Sequence, residues 1–199
     1  LALLKATGVP IYDPESGLTF PRIQLDAALW ACGASLVVYD NGPSTHSGGS
    51  AVGHFITADD FTLDFAADVT GASVDVYDGP QSSNNRWDGT VQWWLFNDNA
   101  GVPGSLIASG TGENVQQINI VEDGSGYRDF TVHFNFGREI ALPPGERIWL
   151  ALHMQADYSR VSVSWDHQGS TVGHPARRGG ELIGGVPNFV DGQFAGPSA

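Results

Sequence analysis

The sequence predicts an all-β fold, an antiparallel β-sandwich or jelly roll of about 8–10 strands that follows a short helical N-terminal segment. From Gly33 onward, short alternating or continuous apolar runs are separated by Gly, Pro, Asn and Asp, a pattern typical of antiparallel strands. The 26 glycines and 11 prolines indicate frequent turns. No helical pattern of about ten residues or more follows Trp30, so this part of the chain is expected to consist of strands and loops.

The predicted strands follow one another at short intervals after Gly33. Residues 35–39 form the first apolar run, and residues 44–50 (STHSGGS) have the composition of a flexible loop. Each later run is predicted as a strand because its residues alternate in polarity or are apolar throughout. These runs are 52–57, 61–65, 69–77, 91–96, 106–109, 116–121, 130–136, 148–154 and 161–165, and an edge strand is expected near 181–183.

Three of these runs carry more specific predictions. Phe61, Leu63 and Phe65 occupy every second position and are expected on one face of a strand. Residues 91–96 (VQWWLF) are apolar on both faces, which predicts a central strand. Residues 130–136 alternate most regularly, which predicts a half-buried strand with His133 on its polar side.

The net charge is −13 and is unevenly distributed. Twelve acidic residues and one basic residue lie between positions 37 and 126, whereas seven acidic and six basic residues follow. Such an acidic region repels phosphate backbones, so nucleic acid is excluded as a partner. The same charge either attracts divalent cations or keeps an exported protein soluble, and solubility is the simpler interpretation.

Cysteine content and hydropathy exclude three further features: an intrachain disulfide, a cysteine-based zinc site and a membrane span. Cys32 is the only cysteine, so no intrachain disulfide and no cysteine-based zinc site can form. A buried free thiol is favoured over pairing with a cysteine outside this sequence. No apolar run of about 18 residues occurs, so no membrane span is expected.

The first thirty residues differ from the rest of the chain. An apolar helical pattern over 1–6 meets Gly8, which suits the end of a helix. A turn-rich loop with Pro10, Asp13, Pro14 and Gly17 is expected next, and Pro21-Arg22 is expected to open a second short helix over 23–29. A charged leader with a long hydrophobic centre is absent from this segment, so it is not interpreted as a signal peptide.

This N-terminal pattern resembles the C-terminal end of the catalytic domain of subtilisin-like serine peptidases (subtilases). In that family a helix ends in a T-G turn, a loop follows, and a helix of the form P-R-I-(D/N)-(V/L)-x-x-A-L closes the domain. Gln24 stands where the family commonly has Asp or Asn. The resemblance spans about 29 of the 199 residues. The matching segments are ALLKATG (2–8), DP (13–14), GLTFPRI (17–23) and LDAAL (25–29).

The resemblance implies a parent protein that is a secreted serine endopeptidase. The family's catalytic blocks, D-[ST]-G, H-G-T-H and G-T-S-M-A, do not occur in this chain and would precede Leu1. No catalytic residue is therefore assigned here, and whether the chain itself is an enzyme is left open. The expected division is a helical remnant of the catalytic domain over 1–32 and an accessory β-sandwich over 33–199, with the peptidase domain as partner.

A second resemblance concerns the predicted sandwich. The segments YDNGP (39–43), ADDF (58–61), WLF (94–96) and VPGSLIA (102–108) are similar to β-sandwich domains appended to secreted bacterial proteins. This similarity implies an extracellular location and a fold rather than an activity.

Calcium is the cofactor expected from the residues themselves. Hard cations bind clustered carboxylate, amide and carbonyl oxygens, which several Asx-rich loops supply. The best candidate ligands are Asp59, Asp60, Asp78 and Asp98. Asx residues in loops also form turns without any metal, so the alternative for each cluster is a structural role.

Aromatic residues supply the candidate ligand-binding surface. Trp87, Trp94 and Trp149 are predicted on loops or on the face opposite the core, where indoles can stack on sugars or peptide side chains. Core packing is the alternative, because sandwiches bury most of their tryptophans. His133 and His153 are expected on polar strand faces, where they could be neighbours, and no third zinc ligand is indicated.

Two functions from different classes follow. The first is a non-catalytic C-terminal accessory domain of a secreted subtilisin-like peptidase, acting in stabilisation, substrate or surface attachment, or export. The second is a stand-alone extracellular module that uses its aromatic residues to bind either protein or carbohydrate, polysaccharides included.

Overall fold

The computed structural model describes residues 9–14, 16, 18–22, 37–40, 44–79, 86–124, 126–156, 163–168, 176–179, 182–183, 185–187 and 189. Within these residues the chain forms fourteen strands and no α-helix. In chain order the strands are β1 (Val9–Asp13), β2 (Leu18–Arg22), β3 (Ser44–Ala51), β4 (Ile56–Thr62), β5 (Ala67–Asp78), β6 (Gln92–Asp98), β7 (Pro103–Thr111), β8 (Glu113–Glu122), β9 (Arg128–Leu142), β10 (Arg147–His153), β11 (Val163–Gln168), β12 (Arg177–Gly179), β13 (Leu182–Ile183) and β14 (Val186–Pro187).

The chain separates into two compact units, Leu1–Asp40 and Asn41–Ala199. The described strands of the first unit form an antiparallel hairpin in which β1 pairs with β2. The expected loop is thus a hairpin, and the prediction that Pro21-Arg22 opens a helix is wrong because both residues belong to β2. Proline is tolerated because each strand of a two-stranded hairpin has an unpaired side. The helices expected at 1–6 and 23–29 lie outside the described residues.

The second unit contains two five-stranded antiparallel sheets, which confirms the predicted sandwich. The first sheet has the order β12-β4-β10-β6-β7, and the second has the order β3-β11-β5-β9-β8. The short pair β13-β14 forms a separate two-stranded sheet. The described residues include no helix with the length and apolar character needed to cross a bilayer.

The core between the two sheets follows from the alternation of side chains along the strands. The ring centroid of Trp93 on β6 lies 4.5 Å from that of Phe136 on β9, so the odd-numbered residues of β6 face the second sheet. On β9, every second side chain is buried: Phe130, Val132 and Phe134. The regular alternation over 130–136 therefore predicted a half-buried strand correctly.

Strand β6 also confirms the prediction of a central strand. It has β10 on one side and β7 on the other. Its four consecutive residues from Trp93 to Phe96 are all buried, so both faces of the strand are covered. The second sheet covers its inner face. On its outer face, Phe189 packs on a buried cluster formed by Ile56, Ala58, Trp94, Phe96, Trp149 and Ala151.

Other local predictions were wrong. The expected loop over 44–50 is strand β3, which pairs with β11 and places Gly49 beside the ring of Tyr77. Residues 37–40 are described but form no strand. The expected alternation through Phe61, Leu63 and Phe65 breaks because β4 ends at Thr62; Leu63 is buried and Phe65 is 49% exposed.

Strand β8 forms one edge of the second sheet and is irregular. Its pairing with β9 shifts register between Glu113 and Gln116 and again between Ile118 and Val121. Asn114 (φ 50°) and Asn119 (φ 54°) lie in these two shifts with left-handed backbone, which asparagine tolerates better than most residues. The edge is therefore interrupted twice by β-bulges.

Candidate functional site

The four predicted calcium ligands lie in different environments. Asp59 and Asp60 are consecutive on β4, so their side chains point to opposite faces of the first sheet. Asp78 ends β5 in the second sheet, and Asp98 ends β6 in the first. The structure therefore does not gather the four carboxylates around one point.

Asp59 is a carboxyl group in the apolar interior. It is opposite Leu150 of β10, which in turn is opposite Leu95 of β6, and all three point toward the second sheet. Only 6% of the residue is exposed. Burial raises the pKa of Asp59 from 3.8 to about 7, opposed by a hydrogen bond from the backbone N–H of Asp60 and assisted by repulsion from the Asp60 carboxylate.

Asp60 lies on the outer face and forms an ion pair. Its Oδ2 is 2.6 Å from Nε of Arg147, at the start of β10. The Asp60 side chain is 2% exposed and that of Arg147 is 35% exposed, so the pair is partly shielded from water. Arg147 thus supplies a positive charge directly beside Asp60.

Asp98 organises the turn between β6 and β7. Its carboxylate accepts hydrogen bonds from the indole Nε1 of Trp149 at 2.8 Å and from the backbone N–H of Gly101 at 3.1 Å. Ala100 (φ 53°) and Gly101 (φ 86°) form the two central positions of a tight hairpin turn, which requires positive φ at both. Arg177 of β12 donates to the carbonyl of Gly101 through Nε and Nη2, at 3.2 and 2.9 Å.

Asp78 is fully buried and is the centre of a charged network. It accepts hydrogen bonds from Arg86 Nη1 at 3.0 Å, from Arg128 Nε at 3.0 Å and Nη2, and from the Trp87 N–H at 3.2 Å. The hydrogen bond to Asp78 raises the pKa of Arg128 further above its ordinary value. Arg86 also donates to Glu122 at 3.1 Å, which extends the network to the surface.

No metal-binding group emerges from these positions. Across the part of the chain that the structure describes, no three or more His, Cys, Asp or Glu side chains converge in a way that could hold an ion. Asp60 and Asp78 already have arginine partners, and Asp98 binds an indole N–H. Calcium binding remains a prediction, and the described contacts give these carboxylates structural roles.

The three candidate tryptophans are buried. Trp87 stacks on Phe130 with ring centroids 5.7 Å apart and donates from Nε1 to the carbonyl of Thr90. Trp94 and Trp149 lie on the outer face of the first sheet, which points away from the core between the sheets, as predicted. Phe189 and Val186 pack against the cluster that contains Trp94 and Trp149, and all three indoles are at most 5% exposed, so none of them offers a stacking surface to solvent.

The two candidate histidines are not neighbours. His133 is on β9 of the second sheet, where Nδ1 is hydrogen bonded to the hydroxyl of Ser73. His153 is on β10 of the first sheet, is fully buried and has its Nδ1 3.3 Å from the carbonyl oxygen of Phe55. The prediction failed because strands with similar polarity patterns belong to different sheets.

The outer face of the second sheet carries a polar row that the sequence did not single out. Ser73 pairs with His133 across β5 and β9, and one step along the same face Thr131 donates to Asp75 at 2.7 Å. The intervening Val74 and Val132 are buried and point inward. Alternation of polar and apolar residues in both strands is the signal that could have identified this row.

Searches of protein-family models, of curated proteins and of solved structures each found no match for this chain.

Proposed function

We propose that residues 41–199 form a non-catalytic accessory domain of a secreted subtilisin-like serine peptidase. The observation that carries the proposal is the ordered series of motif residues before Trp30, which resembles the closing segment of that family's catalytic domain. The separation of residues 1–40 from the sandwich as a compact unit supports a junction between two domains.

The chemistry of the described residues is consistent with an accessory role. Ser73 and His133 form a hydroxyl–imidazole hydrogen bond of the kind that links a nucleophile to its base. A triad also needs an acid that orients the histidine, and the adjacent Asp75 instead accepts from Thr131. The proposal therefore assigns peptide hydrolysis to the neighbouring domain and stabilisation or attachment to the sandwich.

The sequence upstream of Leu1 tests the attachment. It should encode the G-T-S-M-A block within a few tens of residues, and a different domain there would refute the proposal. The role is tested by comparing the full-length peptidase with a variant that ends at residue 40. We expect unchanged kcat/KM on a small soluble peptide, and faster thermal inactivation or weaker retention on an insoluble protein substrate.

A stand-alone binding module is the second candidate, favoured by the polar row on the outer face of the second sheet. Hydroxyl, imidazole and carboxylate groups in a flat row can bind a neutral polysaccharide through hydrogen bonds. Pull-down with insoluble polysaccharides should then show saturable binding that the double variant Ser73→Ala/His133→Ala weakens. Asp64→Asn, on an exposed loop, is the control, and unchanged binding in the double variant would reject this face.

A further inference from the structure

The segment between β3 and β4, residues 52–55, leads from the second sheet to the first and is held by both. Val52 and Gly53 donate from their backbone N–H groups to the carbonyl of Val163 in the second sheet, at 2.9 and 3.1 Å. The carbonyl oxygen of Phe55 lies 3.3 Å from Nδ1 of His153 in the first sheet. The side chains of this segment are therefore presented from a firmly anchored backbone.

Three side chains meet at the ring of Phe55. The guanidinium carbon of Arg178 lies 4.1 Å from the ring centroid, and the ring of His54 makes an edge contact with centroids 4.6 Å apart. Strand β12 brings Arg178 to this position by pairing it with Thr57, two residues after Phe55. His54 is exposed, whereas Phe55 and Arg178 are half-buried. A guanidinium and an imidazole thus flank one aromatic ring at the surface.

The guanidinium of Arg178 has an incomplete set of partners. Its Nε is buried and has no hydrogen-bond acceptor among the described residues. No carboxylate in the described part of the chain forms an ion pair with it. Because buried donors are nearly always satisfied by protein, water or a ligand, an acceptor is expected to complete this position from outside the chain.

We propose that Arg178, Phe55 and His54 form a binding site for a single carboxylate of a peptide or protein. A guanidinium stacked on a ring presents its N–H groups in one plane, which matches the two oxygens of a carboxylate. The imidazole of His54 can donate a further hydrogen bond to the same group. The site does not depend on the proposed attachment to a peptidase, because it rests only on contacts within the sandwich.

The charge of the chain limits the class of ligand. With a net charge of −13, the protein repels polyanions such as polyuronates, whose successive carboxylates need a row of cations. The neighbouring Arg177 already donates to the carbonyl of Gly101 through Nε and Nη2. One guanidinium is therefore offered to one carboxylate, which suits an acidic residue or the C-terminus of a peptide.

Titration of the unmodified protein is the first test. The probe is N-acetylglutamate N-methylamide, and its binding is followed through the 1H–15N signal of Arg178 Nε at constant ionic strength. The signal should move downfield and saturate with a Kd in roughly the millimolar range, and the neutral glutamine analogue should leave it unchanged. No response, or an equal response to both compounds, would overturn the proposal. This measurement needs no variant, so it decides the matter even if substitutions impair folding.

Substitutions separate the site from the general effect of charge. Arg178→Gln should weaken binding of the probe about 10- to 100-fold, and His54→Gln about 2- to 10-fold. Arg178→Lys keeps the charge without the planar guanidinium, and should also bind more weakly than the unmodified protein. The matched control is Arg138→Gln, which removes one positive charge from an exposed position on β9. Equal losses in Arg178→Gln and Arg138→Gln would overturn the site.

Thermal unfolding distinguishes a ligand site from a purely structural contact. The probe should raise the Tm of the unmodified protein and of Arg138→Gln, because a ligand that binds the folded state stabilises it, but not the Tm of Arg178→Gln. If Arg178→Gln lowered the Tm and still responded fully to the probe, Arg178 would serve only to pack on Phe55. Tighter binding of oligogalacturonate than of the peptide probe would contradict the choice of a peptide carboxylate.

Discussion

Replacement of Asp78 by asparagine tests whether the buried charged network holds the end of the second sheet. Asp78 is inaccessible to solvent, whereas the side chains of Arg86 and Arg128 are 20% and 19% exposed. Asparagine has nearly the same shape and keeps an oxygen that can accept from the Trp87 N–H. The substitution therefore removes the negative charge that the two arginines share: Arg128 loses this counter-ion, and Arg86 keeps only the exposed Glu122.

The expected loss can be worked from these contacts. Removing one partner of a buried ion pair costs about 3–5 kcal/mol. Since both arginines retain some access to water, they recover part of their solvation, and the lower end, about 3 kcal/mol, is expected. For a domain of this size that corresponds to a decrease in Tm of roughly 6–12 °C.

Glu122→Gln is the matched control, because Glu122 binds the same arginine from the surface. Its side chain is 52% exposed and accepts from Arg86 at 3.1 Å, so its loss should cost about 0–1 kcal/mol. Urea and thermal unfolding followed by circular dichroism measure both variants. If Asp78→Asn were destabilised no more than Glu122→Gln, burial would not set the strength of this network and the reasoning would fail.

Three further substitutions test packing and backbone geometry through the free energy of unfolding. Ala100→Asn should stabilise the chain by about 0.5–1 kcal/mol, because Ala100 has φ 53° in a tight turn, and a decrease would contradict the turn assignment. Gly110→Ala should destabilise it by about 1–3 kcal/mol, since the added Cβ would lie 2.9 Å from Trp93 Cζ2. The control Gly124→Ala, whose added Cβ would meet open space, should change the free energy of unfolding little. Equal effects of the two substitutions would rule out the overlap with Trp93. Phe189→Ala should cost about 3 kcal/mol and shift the tryptophan emission to the red, and an unchanged spectrum would show that the outer face is not covered.

Much of the sandwich was predictable because its interior strands satisfy the alternation rule locally. Residues 130–136 bury every second side chain, and residues 91–96 are apolar on both faces because both faces are covered. Strand β3 was not predictable from its own composition. Its polar and small residues become a strand through pairing with β11, more than a hundred positions away in the chain, so tertiary contacts override the local preference.

The candidate site was less predictable because each residue's role depends on distant partners. Asp78 was selected as a candidate metal ligand from its local carboxylate and amide neighbours, whereas the contacts that the structure shows for it come from Arg86 and from Arg128, 50 positions later. Trp94 and Trp149 were placed on the correct face of their sheet. That the face is covered depends on Phe189, which has no local pattern connecting it to β6 or β10.

The bulged edge strand β8 limits how other chains can add to the second sheet. A regular edge offers an uninterrupted row of backbone donors and acceptors, which acts as a template for strand addition and for ordered aggregation. Asn114 and Asn119 turn the backbone out of this row at two points, so a straight incoming strand cannot complete its hydrogen bonds along β8. The exposed Ile120 and Val121 lie beside the second bulge, where the interrupted row of backbone groups disfavours the strand pairing that ordered aggregation requires.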